Sequence, residues 1–182
     1  MQLYIIIGMI LAVFALWFIT TQRHLVLLDE NIDNAMSQIG VQLSGRWDAL
    51  SALLDLTKGY AEHEYKTLSG TIRARCPITA GSSVRDASEQ ENLLIGAMER
   101  IMAVAEQYPA LKANQSYQKT MDSVNKYEAM VRQSRLIYND SVTKLNRTIR
   151  MFPVSLVAGM MGFSRRDYLE ANEDKANMPA MK

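Results

Sequence analysis

The sequence predicts an all-α protein: an N-terminal transmembrane helix followed by an antiparallel helical bundle of three long helices and a short fourth. Three observations carry this. Leu3 to Thr20 is an apolar run without a charged side chain, and the apolar residues beyond it recur at helical spacing. No segment alternates with period two over a useful length, so no sheet is expected. The expected organisation is an anchor over 1–22, a helical body over 23–163 and a mobile tail over 164–182.

At ~1.5 Å per residue the apolar run is about 27 Å long, close to the hydrocarbon thickness of a bilayer. A cleaved secretory signal usually has a basic start, a shorter apolar centre and small residues at its cleavage site. Here only the α-amine is positive ahead of the run, which ends in Leu16, Trp17, Phe18 and Ile19. A retained anchor is therefore favoured over a signal or a buried core helix. Trp17 suits the interface, where an indole buries its ring and keeps its N–H wet. Arg23 and His24 follow the span, with Asp29 and Glu30 soon after, and this small bias points to a cytoplasmic body.

The first body helix follows two series spaced by eleven: Leu28, Ile39, Leu50, Ala61 and Ile72, then Ile32, Leu43, Leu54 and Tyr65. A period near 3.67 gives a nearly straight apolar stripe, so one long amphipathic helix is expected through Ile72. Gly40, Gly45, Gly59 and Gly70 interrupt it and are read as tolerated in an element held by packing, more than as points of close approach. Pro77 and the run Thr79 to Ser83 stop it. A second helix shows in Val84, Ala87, Leu94, Met98, Ile101 and Ala105, ending at Tyr108 and Pro109. The third runs from Tyr117 through Met121, Val124, Val131, Tyr138, Val142, Leu145 and Ile149 to Phe152, where Pro153 closes it. Val154 to Gly162 forms the short fourth. Short loops make these helices antiparallel neighbours. The second is too short to cover both long ones, so the fourth segment is expected to fold back over an exposed stripe, or else to leave that stripe as a binding surface.

Several blocks resemble the LemA family of bacterial membrane-anchored helical proteins. They are Gln38 to Leu43 with Arg46 and Asp48, Lys58 to Glu64, Ala103 to Asn114, and a C-terminal signature of Tyr138-Asn139, Val142, Asn146, Ile149, Phe152-Pro153, Leu156, Ala158-Gly159 and Gly162-Phe163. The resemblance implies an N-terminal anchor, a helical bundle and a bacterial membrane location, but no reaction. The family is often encoded near membrane proteases and has relatives tied to building specialised bacterial membranes, associations that map to no residue of this sequence. Departures are Arg23-His24 for a usual Tyr-Asn, Gly40 for a common Asp and Ser51 for a usual Pro, whose loss removes a kink.

Chemistry is sparse. Glu62-His63-Glu64 puts a histidine beside carboxylates, but residues one apart on a helix diverge by about 100°, and His24 is far away in sequence, so a solvated face is the reading and no metal is expected. Cys76 between Arg75 and Pro77 lacks a positioned base, and a lone cysteine makes no internal disulfide. The tyrosines and the 12 methionines fit a core margin better than a cofactor site, and no cofactor is expected. The triplets at Asn114, Asn139 and Asn146 that match a glycosylation signal are read as chance. The net charge of +1 points to no nucleic acid.

Local charge says more. Ser141 to Arg166 carries Lys144, Arg147, Arg150, Arg165 and Arg166 without a carboxylate, and the apolar segment Phe152 to Phe163 lies between ridge and arginine pair, with Phe152, Leu156 and Phe163 its candidate contacts. These eight residues are the candidate contacts for a partner or an anionic lipid. The expected function is a non-enzymatic single-pass scaffold or adaptor for membrane proteins, a membrane protease among them. The alternative is direct membrane organisation through the ridge and 152–163. A homo-oligomer is compatible with either.

Overall fold

The computed structural model describes residues 1–169, and among these every regular element is a helix. The first, α1 (Gln2–Thr57), is one helix of 56 residues that contains both the apolar run and the first body helix. No break separates anchor from body at residue 22, because the stretch from Thr21 to Ile39 has neither Pro nor Gly and its buried stripe starts at Thr21, Leu25 and Leu28.

The single helix expected through Ile72 is broken instead. Lys58 to Tyr60 form a turn, and α2 (Glu62–Arg73) folds back along α1. Tyr65 donates to Asp55 at 3.3 Å and Arg75 pairs with Asp48 at 2.6 Å, so the chain descends as its numbering rises. Gly59 sits in this turn with nothing near its α-carbon to reward a helical conformation. The loop that follows carries Ile78 onto Gly40. It ends in a reciprocal cap, where the Ser83 hydroxyl accepts from the Asp86 N–H at 3.1 Å and the Asp86 carboxylate accepts from the Ser83 N–H at 2.9 Å. The hydrogen bonds from Ser83 hold the Asp86 carboxyl below its usual pKa.

The chain climbs again in α3 (Val84–Gln107), turns through α4 (Pro109–Lys112) and descends in α5 (Gln115–Thr148), which starts where the Asn114 side chain accepts from the Ser116 N–H at 2.8 Å. A short α6 (Val154–Met160) follows. The interface of α1 with α5 is the most extensive in the molecule. On α5 the buried residues Tyr117, Val124, Val131, Tyr138 and Leu145 recur every seventh position, facing Leu25, Ile32, Ile39, Leu50 and Leu53 of α1.

One ion pair, with a buried guanidinium and a half-buried carboxylate, favours a single alignment of these two helices. Arg46, with 3 % of its side chain exposed, donates to Glu128 at 3.0 Å, while its Nε and Nη1 find no acceptor among the described residues. Burial pushes its pKa down, opposed by the charges of Glu128 and Glu91. Such a pair adds little net stability but penalises every register that separates it. Arg135 and Glu91 tie α5 to α3 close by.

Gly40 and Gly45 are points of close approach after all. A Cβ on Gly40 would lie 2.0 Å from the Ile78 carbonyl oxygen, and one on Gly45 would lie 2.4 Å from the Tyr127 ring. Gly59 and Gly70 have open space. Gly40→Ala is therefore expected to push the 74–83 loop outward and cost about 1–3 kcal/mol, the range for overpacking. Thermal melting would report the loss, and faster hydrogen exchange at the Cys76 amide, which donates to the Gln90 side chain at 3.1 Å, would show that the loop has moved.

Candidate functional site at the base of the body

The candidate contact residues sit at the end of the body nearest the apolar run. Arg46 pairs with Glu128, and Gly45 faces Tyr127. Carrying this antiparallel register down α5 brings Thr148 level with about Leu25, roughly 8 Å along the axis beyond Thr20. The chain past Thr148 therefore approaches the apolar run itself. Trp17 and Phe18, at the end of that run, pack against the body's core and Thr21 is buried.

There α6 buries Val157 and Ala158 and packs against α1. Its other side carries Phe152, Leu156 and Met160 at 81 %, 61 % and 80 % exposure, spaced by four on one face. The fourth segment thus covers the stripe as expected and still presents an apolar face. Phe163, predicted as a contact residue, is instead half-buried on the core.

The basic residues divide likewise. Lys144 is exposed but paired with Asp140 at 2.7 Å, one turn back on α5. Arg147, Arg150 and Arg165 are exposed and make no salt bridge among the described residues. Arg166 is not a free contact. Its Nε and Nη2 donate to Asp29 at 3.0 and 2.8 Å, and Nη2 also reaches Asp33 at 3.3 Å. Burial opposes its charge, but the hydrogen bond and charge of Asp29, with Asp33 behind it, hold its pKa above the usual value.

Arg166 belongs to a segment expected to be mobile that is packed through Leu169; the rest of that tail, 170–182, lies outside the described residues. Residues 164–169 are extended, so their N–H and C=O groups need partners from elsewhere. Two asparagines on α5 supply them. The Asn146 carboxamide donates to the Arg166 carbonyl at 2.9 Å and accepts its N–H at 3.0 Å, and Asn139 clasps Leu169 in the same way at 2.9 Å and 2.9 Å. Seven helical residues span about 10.5 Å and three extended residues about 10 Å, so the spacing of clasps matches that of their targets. The buried Tyr138 adds a bond to the Asp167 carbonyl at 3.1 Å, and its burial raises the phenol's pKa. Sequence reasoning missed these roles, although Asn139 and Asn146 stand two helical turns apart on one face.

His63 and Glu64 line an open groove of about 290 Å³ with Arg100 of α3, and no group of three His, Cys, Asp or Glu side chains among the described residues could share a metal ion.

A family model described as the LemA family matches residues 35–182. The chain is also 26 % identical over 171 residues to magnetosome proteins MamQ 1 and MamQ 2 of Paramagnetospirillum magneticum, with 80 % of this chain covered. It spans 63 % of the length of those relatives.

Asn146→Ala removes both bonds to Arg166 and is expected to cost about 1–2 kcal/mol. Hydrogen exchange should speed at the Arg166 and Leu169 amides while α3 stays protected. In a double-mutant cycle, Asp29→Ala and Arg166→Ala should couple by about 0.5–1 kcal/mol, as a partly exposed pair does. Additivity of the two changes would show that the pair does not hold the segment.

Proposed function

The chain belongs to the LemA family, and we propose that it acts there as a non-enzymatic, single-pass membrane scaffold or adaptor for other membrane-associated proteins. The continuity of α1 carries this reading. The chain's membrane location rests on its apolar N-terminal helix and its family, and the same helix runs on unbroken into the core of the body. The body is thus confined to a layer close to the bilayer, which raises its effective concentration toward membrane proteins, a membrane protease among them, without any added contact. Partner contact is assigned to the ridge of Lys144, Arg147 and Arg150; Arg166 is left out because Asp29 and Asp33 occupy it.

We take the body to lie on the cytoplasmic side, a reading supported by Arg23 and His24 beside the span. Cys76 is exposed and is the chain's one cysteine, so it reports sidedness directly. In intact cells it should resist a membrane-impermeant maleimide and react once the membrane is permeabilised; labelling of intact cells would reverse the assignment.

In-cell crosslinking of the full-length protein followed by mass spectrometry tests the scaffold reading. The expected result is a defined protein partner whose crosslinks fall at least several-fold when Lys144, Arg147 and Arg150 are all changed to Glu, with helicity and membrane fractionation unchanged. Crosslinks only to itself and to lipid, or a partner indifferent to the triple change, would overturn it.

A further inference from the structure

We propose that α6 is an amphipathic foot seated in the headgroup layer of the same leaflet that α1 enters, and that its ligand is anionic phospholipid. This goes beyond the scaffold reading and stands without it. Three observations converge.

The first is height. The end of α5 lies roughly 8 Å beyond the end of the apolar run, and α6, which follows it, packs against α1. The polar layer of a bilayer is about 5–7.5 Å deep on each side of the hydrocarbon, so the end of α5 lies at its outer edge, and the base of the body, which reaches down to Trp17 and Phe18, lies within it. The packing of Trp17 and Phe18 against the core sets the lower edge of the body independently of that register.

The second is the face itself. Phe152, Leu156 and Met160 form one exposed apolar row, with Met151 and Met161 at its ends at 49 % and 40 % exposure. The opposite row, Val157 and Ala158, is buried. A short helix with one side on its own core and the other bare is shaped to lie in an interface plane.

The third is charge. Arg23, Arg147, Arg150 and Arg165 are exposed around this end, and no Asp or Glu lies between Ser141 and Arg166. Arginine is the side chain best suited to phosphate, which it binds through two parallel N–H bonds. The clasps of Asn139 and Asn146, with the Arg166–Asp29 pair, hold the chain on the far side of α6 and keep the foot from swinging away.

The test uses the full chain with Cys76→Ser, carrying Leu156→Cys or Met160→Cys labelled with an environment-sensitive fluorophore. Each protein is reconstituted in vesicles of phosphatidylglycerol and phosphatidylethanolamine. Glu89→Cys, on the exposed side of α3, is the aqueous control. Labels at 156 and 160 should be quenched several-fold more by lipid-borne nitroxide than by iodide, and the label at 89 should show the reverse. Lipid quenching should fall several-fold when the vesicles are phosphatidylcholine alone, or when Arg147, Arg150 and Arg165 are changed to Glu. Circular dichroism and melting show that each variant is folded, and the two labelled positions guard against a local effect of either. Iodide access at 156 and 160 equal to that at 89 would overturn the proposal. Protection from both quenchers would overturn it too, because a protein surface or a second copy would then be the occupant.

Discussion

The contact between α1 and α5 is the constraint on which the remaining architecture depends. Both helices are long, both carry one apolar stripe, and neither stripe can be left in water. Packing them together sets the axis of the body, and the Arg46–Glu128 pair selects the alignment along that axis. A shift by one turn would leave the buried Arg46 guanidinium unpaired in an apolar interface, a cost above the small gain from the pair itself, while the half-buried Glu128 would keep Arg132 and water. The heights of all other features then follow, including the level at which α5 ends and α6 begins.

The two ends of this helix pair are completed differently. At the distal end α2 and α3 supply a conventional bundle; the loop between them comes close enough to α1 for Gly40 to be required, and the Tyr127 ring of α5 requires Gly45. Nearer the apolar run the described residues supply no third long helix. The extended segment and α6 do that work with polar clasps and one charged strut, so the base of the body is held by hydrogen bonds where the top is held by packed side chains. Hydrogen bonds of this kind contribute about 1 kcal/mol each, so several are needed where a single well-buried leucine would otherwise serve.

The helical class, the apolar run and the core positions were legible because burial repeats with the helical period, as in Leu28, Ile39 and Leu50. The break after Thr57 was not. Ala61 and Leu68 are buried whether the chain continues upward or folds back, so the apolar pattern reads the same in both cases, and Gly59 was the one sign of a turn. The basic ridge and the apolar fourth segment were visible as local composition, whereas their height relative to the span required the three-dimensional register. Arg166 illustrates the limit most clearly: its acidic partners lie more than 130 residues away, and nothing in its neighbours distinguishes it from Arg165. Asparagine clasps are similarly hidden, since a carboxamide on a helix face is ordinary until an extended strand is laid beside it.

Because α1 crosses from the apolar run into the core without a joint, the body has no orientation of its own. About 55 Å of helix extends past Thr20. Spanning helices tilt by about 20° on average, and the tilt follows the match between apolar length and bilayer thickness. Over that distance a 20° change in inclination sweeps the tip sideways by about 19 Å. The helix is in effect a lever with its short arm in lipid, so bilayer thickness becomes a coordinate of the distal end.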